Sequence, residues 1–250
     1  MKCYKYIHYL SLDVCVGALA YQAYFYYLKT NHFVSISLQV LLFCCIWMVY
    51  LVDRMIDARL DQIDDARHHF IVQHTNKIYL LFIILGLGIG YIISTFDSQL
   101  ILQGVLLFFL LLGYWLVWIK KWFRKWLSKE ILTSLIYSLG ILFPFSMNIN
   151  GNYVLNAILF FFIVLHHLKL FLHLVGKKCP TFLLSLELLI AAGLFLQCVR
   201  DPQQIFGLIP LIITLGVQVM IHYIYPSVRM RAIAEAAYWS PFIVILYELF

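Results

Sequence analysis

Charge is scarce in this chain. Of its 250 residues only 12% are Asp, Glu, Lys or Arg, against about 25% in an ordinary soluble domain. The deficit is filled by apolar side chains, which make up 64% of the sequence and raise the mean hydropathy to +0.90. So apolar a composition excludes intrinsic disorder, and six prolines with 12 glycines are too few for a collagen-like or low-complexity chain. The cysteines, Cys3, Cys15, Cys44, Cys45, Cys179 and Cys198, form no C-x-x-C pair. Most lie in or beside apolar runs, where sulfur packs as a small hydrophobe, so neither a disulfide framework nor a cysteine zinc site is expected. The formal charge of +6 is spread through short loops between apolar runs. It is not gathered on one soluble face, so it marks no nucleic-acid partner.

What is present is a series of long apolar runs. A membrane-spanning helix needs about 20 mainly apolar residues, and nine such segments are expected at 9–29, 33–53, 78–96, 99–118, 130–149, 153–175, 181–199, 204–225 and 231–250. Turn chemistry separates them: Thr30-Asn31, Asp97-Ser98, the stretch around Gly151, Pro180, Asp201-Pro202 and Pro226. Asp13 interrupts the first run, so it reads as a retained helix rather than a signal peptide. Within the third, Gly86, Gly88 and Gly90 read as positions of close helix packing, and Pro144 in the fifth reads as a kink. The expectation is an all-α integral membrane protein, residues 1–250 forming one transmembrane domain surrounded by membrane lipids.

With the amino terminus in the cytosol, 15 of the 18 Lys and Arg residues fall in cytosolic segments and two outside. The positive-inside rule then orients the chain, with its carboxyl terminus on the opposite side. In that frame Asp13, Glu187 and Glu235 all lie roughly 6–9 Å below the cytosolic boundary. Intramembrane acids avoid lipid, so three at one level predict a cavity open to the cytosol.

The richest stretch follows span 2. If the helix continues past the membrane, Asp53, Asp57, Asp61 and Asp64 fall at about 0°, 40°, 80° and 20° around it. Like charges so placed repel unless cations occupy the face. Either Arg54, Arg59 and Arg67 neutralise it as a solvated segment, or Asp53, Asp57 and Asp61 hold a magnesium ion that bridges to phosphate.

These residues resemble the UbiA-type intramembrane prenyltransferase superfamily, whose first acidic motif reads Asn-Asp-x-x-Asp-x-x-x-Asp. Asp53 stands at its Asn, Arg54 at the next Asp, and Asp57 and Asp61 match the remaining two. Arg67 and Lys77 are similar to the basic segment that follows in the family, and Lys129 to Pro144 to its fifth-helix region. The resemblance implies nine helices in one bundle with a cytosol-facing cavity, and transfer of a prenyl group from a prenyl diphosphate to an aromatic or lipid acceptor. Asp57 and Asp61 would be the catalytic residues and Mg2+ the cofactor, in a bacterial inner membrane.

The family's second acidic motif has no counterpart. Residues 166–178 contain no Asp or Glu; instead His166, Lys169, His173 and Lys177 share one helical face. That basic face has three readings: pairing with the acidic stripe, direct binding of a diphosphate, or histidine ligation of a metal or haem, for which His222 would be a partner. Lys121 and Lys125, among the tryptophans of the loop after span 4, are either headgroup anchors or further diphosphate contacts. The alternative to an enzyme is a non-catalytic relative that binds or carries an isoprenoid lipid or supports a protein partner. A small-solute transporter is a weaker third reading, since no inverted repeat is visible.

Overall fold

The computed structural model describes residues 9–60, 66–119, 128–142, 151–176, 180–201, 205–227 and 230–249, and every regular element among them is helical. In chain order these are α1 (Leu12–Thr30), α2 (Ile36–Leu60), α3 (Ala66–Gln73), α4 (Thr75–Ile93), α5 (Ser98–Ile119), α6 (Lys129–Leu142), α7 (Gly151–Leu174), α8 (Pro180–Arg200), α9 (Ile205–Tyr223), α10 (Arg231–Ala236) and α11 (Pro241–Leu249). Six of them, α2, α4, α5, α7, α8 and α9, are long and apolar enough to cross a membrane. The chain is therefore a multi-pass, all-α membrane protein.

α1 is the centre of the bundle. Its Cys15, Ala18, Tyr21, Tyr24 and Phe25 are sealed from solvent, and it packs against α2, α6, α10 and α11. Because protein surrounds it, it tolerates Asp13, Gln22 and Lys29 and is less apolar than the six long helices. α4 and α5 lie at the periphery, where Ile83, Leu87, Leu106 and Phe109 are exposed, as lipid-facing side chains must be in a bilayer.

The segment expected as one final span is broken. α10 ends at Ala236, Ala237–Trp239 forms a turn of 3-10 helix, and α11 restarts at Pro241. Pro241 has no N–H to donate to the preceding turn, so the helical hydrogen-bond ladder is interrupted there although Ser240 keeps helical dihedrals. Ala237, Tyr238 and Ser240 of the break are buried while Trp239 is exposed, and hydrogen bonds tie the segment to its neighbours. Ser240 and Tyr21 hydroxyls donate to the Pro210 carbonyl at 3.2 and 3.1 Å, Thr214 bonds Tyr21 at 2.7 Å, and Trp239 Nε1 reaches the Asp13 carbonyl at 3.3 Å.

The glycines of close approach also differ from expectation. A Cβ at Gly88 would meet nothing within 4 Å, and the same holds for Gly86 and Gly90, so α4 uses none of them for packing. At Gly17 a Cβ would lie 2.8 Å from Tyr238 Cβ, where α1 passes the 3-10 turn. Pro144 lies outside the described residues.

Overpacking a closed contact costs about 1–3 kcal/mol. Gly17→Val is expected to lower stability by about 2 kcal/mol in denaturant titrations of the detergent-solubilised protein, while Gly88→Val leaves it unchanged. Equal effects would contradict this packing.

Candidate functional site

α2 runs on beyond its apolar stretch to Leu60, which carries Asp53 out of the run of hydrophobic residues on a continuous helix. There it meets α5 and α6. Tyr114 Oη donates to Asp53 Oδ1 at 3.0 Å, Lys129 Nζ lies 3.1 Å from the same oxygen, and Thr133 Oγ1 is 3.4 Å from Tyr114 Oη. Asp53 and Lys129 each keep 19% of their side-chain surface, so the pair is poorly hydrated and its attraction exceeds that of an exposed pair.

Asp53, Tyr114 and Thr133 form the polar end of a cavity of about 560 Å³ between α1, α2, α4, α5 and α6. Its wall on α2 extends from Asp53 back to Leu38, about 22 Å of helix at 1.5 Å per residue. It is mostly apolar, with Leu42, Ile89, Phe108 and Leu111 among its lining residues. Gln22 of α1 also lines it, buried and with its Oε1 lacking a hydrogen-bond partner among the described residues, and so do the polar-tipped aromatics Tyr50, Trp115 and Tyr137.

The three acids expected to share a cytosol-facing cavity do not line this one. Asp13, Glu187 and Glu235 are buried as expected, but the acid of this cavity is Asp53. Glu235 instead pairs with Arg231 on its own turn at 2.8 Å. Depth below the boundary sets a common level without setting the direction in which each helix points its side chain.

Nor do the acidic and basic stripes pair directly among the described residues. They are joined through the first two residues of α6. Lys129 binds Asp53 of α2, and Glu130 binds Lys169 of α7 at 3.0 Å. An acid in the first turn also complements the positive end of the helix.

His166 and His173 enter a second cluster, while Lys177 lies outside the described residues. His166 Nε2 and His222 Nδ1 lie 2.9 and 2.7 Å from Glu187 Oε1, while Tyr223 Oη donates to Glu187 Oε2 at 2.8 Å. His166 Nδ1 is 2.8 Å from Gln218 Oε1. The His173 ring stands edge-on to His222, centroids 5.7 Å apart. α7, α8 and α9 thus meet here, as the sequence anticipated for His166 and His222 but not for Glu187, Gln218 and Tyr223.

Asp61, Lys121 and Lys125 lie outside the described residues, as do the side chains of Asp57 and Arg67. Lys77 is exposed in the first turn of α4. Of the set expected to hold magnesium, Asp53 is described, and its Oδ1 already receives an ammonium and a phenol. Asp57 and Asp61, the other two of that set, have no described side chains. Tyr114 and Thr133 left no signal in the sequence, since one Tyr and one Thr among aromatic and apolar residues carry no periodicity.

If the Asp53–Lys129 pair joins α2 to α6, Asp53→Asn and Lys129→Met should each destabilise the protein. A double-mutant cycle in mixed-micelle unfolding should show a coupling of about 1 kcal/mol, and additive effects would contradict the contact.

Comparison with protein-family models, curated proteins and solved structures finds no match to this chain.

Proposed function

We propose that this protein is a divergent UbiA-like prenyltransferase of nine spans, amino terminus in the cytosol and carboxyl terminus opposite, seated in a bacterial inner membrane. Its cavity faces the cytosol and takes the isoprenoid tail of a prenyl diphosphate, with the diphosphate at the Asp53 end. The observation that carries the reading is the extent and polarity of that cavity: about 560 Å³, mostly apolar, with Asp53, Tyr114 and Thr133 at one end and Lys129 alongside. A drawn-out apolar wall with a few convergent polar groups matches an amphiphile with one long chain.

In the proposed reaction the bond between the allylic carbon and the diphosphate oxygen breaks. The oxygen keeps the electron pair and leaves as pyrophosphate. A nucleophilic carbon or oxygen of the acceptor attacks the allylic carbon and then gives up its proton to the departing pyrophosphate. Lys129 stabilises charge developing on the diphosphate, and the Asp53 carboxylate faces the allylic cation, each group strengthened by the low-dielectric surroundings. No step is routed through a metal.

The second reading is a non-catalytic isoprenoid-binding protein. It is favoured by the lack of any Asp or Glu in residues 166–178, which removes the facing acidic motif of the resembling family.

Purified protein given radiolabelled prenyl diphosphates and a panel of aromatic and lipid acceptors separates the two. The enzyme predicts pyrophosphate release that falls about 100-fold or more in Asp53→Asn and Lys129→Met, the usual cost of losing a charge-stabilising group. Saturable binding without turnover in the wild type would establish the carrier instead, and neither binding nor turnover would overturn both.

A further inference from the structure

The cluster formed by α7, α8 and α9 has a hydrogen-bond pattern that can be followed proton by proton. Tyr238 Oη donates to the Ile163 carbonyl at 3.4 Å, so its oxygen accepts from Gln218 Nε2 at 3.1 Å. That orients the Gln218 amide with Oε1 towards His166 Nδ1, 2.8 Å away. An oxygen there calls for a proton on Nδ1. In a neutral imidazole Nε2 then carries a lone pair, and that lone pair faces Glu187 Oε1 at 2.9 Å. The same oxygen is also approached by His222 Nδ1 at 2.7 Å. A proton on Nε2, which makes the ring an imidazolium paired with the Glu187 carboxylate, satisfies that contact, and so does a metal ion taken by the same donor atoms.

We infer that His166, Glu187 and His222 form a binding site for one divalent transition-metal ion of the zinc type. One ligand atom from each residue lies within 4.8 Å of the others. Two imidazoles and a carboxylate are a borderline donor set suited to zinc, cobalt or iron(II), whereas magnesium prefers a shell of oxygens. Bonds of about 2.0–2.1 Å in tetrahedral directions separate neighbouring ligand atoms by roughly 3.3 Å. The contacts of 2.7 and 2.9 Å therefore open by about half an ångström as the ion enters, which is within reach of small side-chain rotations.

The surroundings fit a metal site beyond its three ligands. A metal-bound histidine generally donates its other ring N–H to an oxygen acceptor, which fixes the tautomer and raises the ligand's basicity. Gln218 supplies that acceptor to His166, and Tyr238 holds Gln218 in turn. Tyr223 donates to the second oxygen of Glu187 at 2.8 Å. It is the last residue of α9 and 58% exposed, so the cluster lies one side chain below the surface and an ion has a short way in. Three protein ligands leave a coordination position for water, so the ion is a Lewis acid as well as a clasp on three helices. This inference does not depend on the lipid reading, because the metal ligands belong to a different group of helices from the Asp53 cavity.

The test uses the full chain in detergent, stripped with chelator, dialysed, and titrated with Zn2+ and with Co2+. Expected are one zinc per chain by elemental analysis and a cobalt spectrum of nitrogen and oxygen ligation with no thiolate charge-transfer band. His222→Ala and Glu187→Gln lose the stoichiometric ion, and Gln218→Leu weakens binding about 10- to 100-fold, as loss of an outer-shell partner does. His69→Ala, at an exposed histidine on α3, retains it. Should Glu187→Gln fail to fold, the wild-type cobalt spectrum and the His222→Ala titration decide alone. No stoichiometric ion, a thiolate band, or an affinity unchanged in His222→Ala would overturn the inference and leave the cluster a closed hydrogen-bonded ion pair.

Discussion

A charge taken out of water must find an opposite charge or a ring of hydrogen bonds, and in this bundle that requirement converges on the first two residues of α6. Lys129 and Glu130 are neighbours in sequence, yet they reach to opposite sides, one to Asp53 on α2 and the other to Lys169 on α7. Both pairs are partly buried. Removing a single partner would strand a charge in a poorly hydrated place, which is more costly than the intact pair is stabilising. The geometry of the Asp53 end of the cavity therefore follows from how α6 begins. Tyr114 completes it from α5 by filling the same carboxylate oxygen.

The same requirement explains the second cluster and the break before α11. Glu187 collects His166, His222 and Tyr223, and the hydroxyls of Tyr21 and Ser240 settle on the Pro210 carbonyl. Apolar burial holds the helices together without choosing their rotation, since lipid is as apolar as Leu. The polar contacts choose it. Small residues then permit the closest crossing, as at Gly17 against Tyr238.

Much of this was legible in the residues. Apolar runs located the six long helices, the continuation of α2 past Asp53 followed from the spacing of its acids, and burial of Asp13, Glu187 and Glu235 followed from the cost of charge in lipid. The partners were not legible. Asp53, inside α2, and Lys129, at the start of α6, are 76 residues apart in the chain, and no local pattern joins them. Which cavity each buried acid lines was not legible, because distance along a helix gives depth but not azimuth. The break at Pro241 was not legible either, because the hydropathy of the run around it is continuous. Tyr114 and Gln218 were hidden for a related reason: a single polar atom on an apolar face has no periodic signature until a neighbour turns towards it.

The cavity and the metal cluster lie on different sets of helices, with α6 and α7 between them through the Glu130–Lys169 pair. Binding of a long-chain amphiphile at the Asp53 end is the central functional claim. Its most direct measurement is native mass spectrometry of the protein released from mild detergent after incubation with a long-chain prenyl diphosphate. The wild type should carry one added lipid mass, and Leu111→Trp, which puts a larger side chain on the cavity wall one turn from Tyr114, should carry none while remaining folded. An adduct that survives in Leu111→Trp, or a wild type that emerges bare, would contradict the account.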